Sequence, residues 1–462
     1  MNDEPQLQIT QKLNDSPMVR SSPRSGLVAR GRRDADLLRA AESDDDLTAL
    51  FDAADKGSST AQVSLGWTYQ MGQSLAQDYS ESAKWFRKAA EQGDAGAQAG
   101  LAYLYASGQG VSRDDNEAAT WYRKAADQGD ARAQFVIGFM CGTGRGGVKD
   151  YGEAVKWFRR SADQGNSQAE ARLGQMYFSG QGVVQDYGEA AKWYRRAAEQ
   201  GESDEQVHLG MMYLRGQGVP QDYGEAAKWY RKAADQGDAR AQSMLGLMYE
   251  SGLGVQQDYG EAATWFRKAA DQGDHKAQTN LGGMYDQGTG VPQDYGVAAK
   301  WYRMAADQGD ARAQANLGHL YVNGEGVPQD YGEAATWYRK AAEQGESDEQ
   351  GHLGMMYVMG QGVAQDYGEA AKWFRMAADQ GDVTAQFNLG LMYENGQGVQ
   401  QDYVQAHIWF NLAASRATAE DQKTFANSRD EIASRMTGQQ IAEAQRLASS
   451  WKPSKVIISR SR

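Results

Sequence analysis

Tryptophan sets the register of this chain. Trp85, Trp121, Trp157, Trp193, Trp229, Trp265, Trp301, Trp337, Trp373 and Trp409 are spaced by 36 residues throughout, and only Trp67 and Trp451 stand outside the series. A fixed period in the range of roughly 20–50 residues marks an array of stacked units, each burying its apolar face against its neighbours. A chain of 462 residues is too long for one compact core, and a repeat array escapes that limit by growing along an axis.

The content of one period decides the fold class. Residues 238–273 read DARAQSMLGLMYESGLGVQQDYGEAATWFRKAADQG. Asp238 suits an N-cap, and Ala241, Leu245, Met248 and Tyr249 then recur at helical spacing on one face. Gly252 and Gly254 are placed to stop that helix. Asp258 and Glu261 form a D-x-x-E pair close to a capping box. Ala262, Trp265, Phe266 and Ala269 supply a second apolar stripe, and Gly273 with Asp274 closes one helix and caps the next. Each repeat therefore reads as helix A, a glycine-rich loop, helix B and a tight turn. β-Branched residues are sparse and no alternating run occurs, which excludes a propeller and predicts an all-α solenoid of ten helix-turn-helix repeats.

The shared pattern A-Q-x-x-L-G-x-M-Y-x-x-G-x-G-V-x-Q-D-Y-x-E-A-A-x-W-[FY]-R-x-A-A-x-Q-G-D resembles the Sel1-like repeat (SLR), a relative of the tetratricopeptide repeat, over about residues 58–417. The resemblance implies a right-handed superhelix of helix pairs and an adaptor or scaffold role in assembling protein complexes, often in bacterial signalling, cell-envelope or host-interaction settings. It implies no single activity. Departures from the pattern include Ala102 for the helix-A glycine, Asp115 for tyrosine, Cys141 for tyrosine, and a loop Gly142-Thr143-Gly144-Arg145-Gly146-Gly147. Outside the array, residues 1–33 are rich in Pro, Ser and Arg and are expected to be disordered. Residues 34–57 read as an N-terminal capping half repeat, 418–451 as C-terminal capping helices, and 452–462 as a basic tail.

Composition narrows the function. A net charge of −13, from 61 acidic and 48 basic residues, disfavours nucleic acid as the partner. No run of apolar residues is long enough for a transmembrane helix, so membrane insertion is not expected. The N-terminus lacks the apolar segment of a secretory signal, and the lone Cys141 permits no internal disulfide. A cytoplasmic protein is expected, with non-classical secretion as the alternative.

The motifs that suggest chemistry have structural explanations. His208 and His352 share a repeat position but lie four repeats apart, and no H-E-x-x-H or Cys/His cluster occurs, so no metal is expected. The recurring G-x-G follows a helix, whereas a dinucleotide loop follows a strand. The D-Q-G-D turn lacks the spacing of a calcium loop. Ser449-x-x-Lys452 matches S-x-x-K without its accompanying motifs. The resemblance also brings to mind a cysteine-rich branch linked to β-lactam or cell-wall hydrolysis, but that branch pairs cysteines that are absent here. No catalytic residue and no cofactor are expected.

Ten copies allow an internal comparison. Positions alike in every copy serve packing, while positions that vary are free to meet a ligand. Helix B is nearly uniform, and its recurring Glu, Arg and Lys read as a solvated outer face. On helix A, three variable columns stand at i, i+3 and i+7 and so share a face. They contain Trp67, Tyr103, Phe139, Arg172, His208, Met211, Arg215, His319, His352 and Met355. This stripe is the candidate surface for a protein or peptide partner. In related solenoids the first helix lines the concave groove. The competing readings are a secreted effector that binds a host factor and a hydrolase.

Overall fold

The computed structural model describes residues 44–72 and 74–454. The segment 1–33, the first part of the N-terminal cap and the tail from 455 onward lie outside the described residues. Among the described residues there are 23 helices and no strand, and the chain is an all-α solenoid. Helix α1 (Asp44–Asp55) precedes ten helix pairs, which run from α2 (Ser59–Met71) and α3 (Tyr79–Glu91) to α20 (Val383–Asn395) and α21 (Tyr403–Arg416). Helices α22 (Ala419–Ala433) and α23 (Gly438–Ser450) follow. The chain divides into two compact units, one ending at Asp222 and one beginning at Tyr223. Within each, every helix packs on its neighbours in sequence. No helix among the described residues is long and apolar enough to cross a membrane.

Repeat six, with α12 (Ala239–Ser251) and α13 (Tyr259–Asp271), shows why the sequence folds this way. The Asp238 side chain accepts from the Ala241 N–H and starts α12. Gly252, at φ 72°, ends it and donates its N–H to the Met248 carbonyl. Gly254, at φ 71°, meets a different demand. A Cβ there would lie 2.1 Å from the carbonyl oxygen of Tyr223 in the preceding repeat. The G-x-G is thus one helix stop and one close backbone approach, which accounts for both glycines without a phosphate. Asp258 accepts from the Glu261 N–H and starts α13. The capping box read from sequence does not close, because the Glu261 carboxylate accepts instead from Trp265 Nε1 at 3.2 Å. At Gly246 of α12 the ring of Phe266 comes so close that a Cβ would lie 2.6 Å from it. Phe266 is fully buried there, worth about 1.5–3 kcal/mol of apolar transfer.

Polar ladders join successive repeats. Gln242 Nε2 donates to the Ala234 carbonyl at 3.1 Å, and Gln242 Oε1 accepts from Gln272 Nε2 at 2.8 Å. The same pair of bonds recurs at Gln278 and Gln314. Each ladder glutamine thereby gives a second donor to a helix-end carbonyl that also accepts from the turn glycine, as Ala234 does from the Gly237 N–H at 3.0 Å. In repeat four Glu170 replaces the glutamine and is 1 % exposed; Arg196 pairs with it at 2.8 Å and also donates to the Ala162 carbonyl. One guanidinium supplies both the countercharge and the missing donor.

The recurring helix-B lysines are exposed, as read in the sequence, and the helix-B cations also contact aromatic rings. Arg231 donates to the Tyr249 hydroxyl and lies 5.2 Å from the Trp265 ring centre of the next helix B. Lys232 sits 3.9 Å over the ring of Trp229. The recurring cations clamp the tryptophan column through ring contacts. Where Cys141 replaces the tyrosine, Arg123 pairs with Glu153 at 2.5 Å instead.

Candidate partner-binding stripe and a histidine cluster

The structure treats the ten stripe residues unequally. Trp67 is half-buried and meets the Phe86 ring edge-on at 5.1 Å. Tyr103 and Phe139 are also half-buried, packed against the core of their own unit. These three aromatics therefore contribute to packing as well as to surface. Arg172 donates to Gln175 Oε1 at 3.1 Å. On α10 (Ser203–Arg215), His208 stacks on Tyr194 at 5.0 Å with its Nδ1 2.8 Å from the Asp204 carbonyl oxygen. Met211 is half-buried and Arg215 exposed. In the second unit, Leu247 and Met359, from the same variable columns, are 38 % and 57 % exposed, whereas Leu245 and Leu353, from a column that is leucine in every repeat but one, are fully buried.

Three stripe residues converge. Helices α16 (Ala311–Asn323), α17 (Tyr331–Glu343) and α18 (Ser347–Met359) place His319, His352 and Met355 around a concavity of about 180 Å³, lined also by Tyr331 and Tyr338. The rings of His319 and His352 are 5.0 Å apart and nearly perpendicular. Tyr338 stacks on His352 at 5.3 Å, and its hydroxyl is 2.8 Å from His319 Nδ1. On the other side, His319 Nε2 lies 3.8 Å from the carboxylate of Glu349. Donor atoms of His319, Glu349 and His352 all fall within 4.8 Å of one another.

Glu349 is buried at a position where eight other repeats carry alanine, such as Ala313 and Ala385. Burial pushes its carboxyl above the ordinary carboxylate range, and the charges of Asp348 and Glu346 push the same way. Burial, with His352 alongside, holds His319 below the usual imidazole value. Repeat five offers a parallel. Glu205 there is pushed up to about 7 by burial, with Asp204 adding to the rise and the Arg172 charge opposing it.

Sequence reasoning compared His208 with His352, which share a column. The pair that meets lies in different columns of adjacent repeats, at a separation of 352 − 319 = 33 residues. One signal was available: the E-S-D-E-Q segment breaks the A-Q pattern in repeats five and nine.

A family model described as Sel1 repeat matches ten times, at residues 59–94, 95–130, 131–166, 167–202, 206–238, 239–274, 275–310, 311–346, 350–382 and 383–417. Among solved structures, the chain is similar to c5321, described as a protective antigen present in uropathogenic Escherichia coli strains and displaying an SLR fold. Identity is 34 %, with a TM-score of 0.81, over 96 % of this chain and 94 % of that one. It is also similar to a Sel1 repeat protein from Oxalobacter formigenes, at 33 % identity and a TM-score of 0.54, over 71 % of this chain and 95 % of the other. No curated protein matches the chain. With ten matched repeats covering most of its length, the chain belongs to the Sel1 repeat family.

Proposed function

We propose that this protein is a non-enzymic scaffold that binds a protein or peptide along the variable stripe of its first helices. Sel1 repeat proteins generally mediate protein–protein interaction, and the chain follows that rule. One observation supports the choice of face. Packing positions of helix A are nearly uniform and buried, while the columns beside them vary widely between repeats and carry exposed or half-exposed Arg172, Arg215, Leu247, His352 and Met359. Arginine and large apolar side chains are suited to anchor an interface. A photo-crosslinking residue placed in turn at Arg215, Leu247 and Met359, and at the exposed helix-B residues Met304 and Met376, in the source cell tests this. Adducts to a common partner from the first three sites support the reading, and adducts only from the helix-B positions contradict it.

A cytoplasmic location is part of the proposal. The likeness to a protective antigen favours a second reading, in which the protein is exported and meets a host protein. Fractionation of cells and medium separates the two.

A further inference from the structure

We propose that His319, Glu349 and His352 form a binding site for a divalent transition-metal ion of the Zn²⁺ type, with the remaining coordination positions open to the concavity. The proposal is independent of the partner-binding reading. Two imidazoles and one carboxylate are the borderline donor set that such ions take, whereas Ca²⁺ and Mg²⁺ require oxygen-rich sites.

The geometry is close to what the ion needs. Donors on a tetrahedral Zn²⁺, at bonds of about 2.0–2.1 Å, stand about 3.3 Å from each other. Here His319 Nε2 and a Glu349 oxygen stand at 3.8 Å, and all three donors lie within 4.8 Å. Small side-chain rotations close that difference. The Tyr338 hydroxyl at 2.8 Å occupies His319 Nδ1, which leaves Nε2 directed at Glu349. A metal-bound histidine is ordinarily held through its other ring nitrogen in this way.

Charge points to the same conclusion. The Glu349 carboxylate is buried in place of an alanine, and among the described residues His319 is the only ion-pair partner within 4.0 Å. Burying a carboxylate is costly unless a cation answers it. Repeat five acts as an internal control. Its Glu205 and His208 repeat the Glu-x-x-His spacing of α18, but the preceding repeat offers Gln175 in place of the second histidine and brings in the charge of Arg172. Only repeats eight and nine combine both imidazoles with the carboxylate.

The test uses the untagged full-length protein with Zn²⁺ alone in isothermal titration, and Co²⁺ as a visible reporter of tetrahedral ligation. Three variants borrow residues the array already uses, so each is compatible with the fold. H319Q copies Gln175, E349A copies Ala313, and Y338F copies the Phe found at Phe266 and Phe374. One Zn²⁺ per chain is expected. Loss of saturable binding is expected in H319Q and E349A, a weakening of roughly 10–100-fold in Y338F, and no change in H208Q. Circular dichroism melts confirm folding of each variant. Absence of saturable binding by the parent, or equal binding by the parent and the H319Q/E349A double variant, overturns the proposal.

Discussion

At the scale of the residue, Gly254 and Gly273 lie in the same repeat and both have positive φ, yet their surroundings differ. A Cβ at Gly273 would meet nothing within 4 Å, while one at Gly254 would lie 2.1 Å from the Tyr223 carbonyl oxygen. Gly273→Ala is therefore expected to cost only the left-handed backbone penalty, about 1–2 kcal/mol. Gly254→Ala should cost at least roughly twice that, because helix and loop must separate. Urea unfolding of the two variants measures the difference, and equal losses would show that the backbone contact is not tight. Glu205 supports a pH test. The folded chain keeps its proton up to about pH 7, while the unfolded chain releases it near the ordinary value of 4.5. Between those values the folded state binds more protons, so stability falls as pH rises through the window. Glu205→Ala, which restores the residue used at Ala169 and Ala241, should remove that slope. Its melting-temperature advantage over the parent is expected to be small near pH 4.5 and full above about pH 7. An advantage independent of pH would contradict the assignment.

At the scale of the element, the ladder glutamines and the helix-B cations carry the contacts between repeats. Glu170 and Arg196 are a matched exchange within that ladder, one replacing the glutamine and the other restoring its bond to the Ala162 carbonyl. Glu170→Gln with Arg196→Lys returns repeat four to the common residues. The double variant is expected to be more stable than the two single losses would sum to, with a coupling of about 1–2 kcal/mol. A thermodynamic cycle from denaturant unfolding measures this, and additive losses would mean the two side chains act separately. The elements were legible in the sequence because helix starts and stops depend on local chemistry: an aspartate before the first turn and a glycine after the last. The role of Arg231 and Lys232 was not, since a cation stacked on tryptophan and a cation in water look alike in a one-dimensional pattern. The failed capping box at Glu261 has the same origin: the carboxylate had a second donor, Trp265 Nε1, that spacing alone did not rank above the backbone.

At the scale of the molecule, the period fixes the architecture because the copies share nearly the same inward residues, so the solenoid followed from spacing and the family from the resemblance of the shared residue pattern. The site was only partly legible. Comparing columns finds positions that vary, which located His319, His352 and Met355, but it is blind to neighbours offset by 33 residues and to a buried Glu349 hidden in an alanine column. Trp67, Tyr103 and Phe139 also vary, yet part of that variation answers to packing. The exposed members of the stripe are therefore the sharper probes. The central claim is that these members bind the partner. With the partner captured by crosslinking, its affinity is measured by titration against R215E, L247E and M359E. The controls are M304K and M376K, which alter exposed helix-B residues to the lysine found at Lys268 and Lys340. The account predicts that each stripe variant weakens binding by tenfold or more, on the order of the 1.4 kcal/mol that separates one decade of affinity, while the controls bind like the parent. Unchanged affinity in all three stripe variants, or losses confined to the controls, would contradict it.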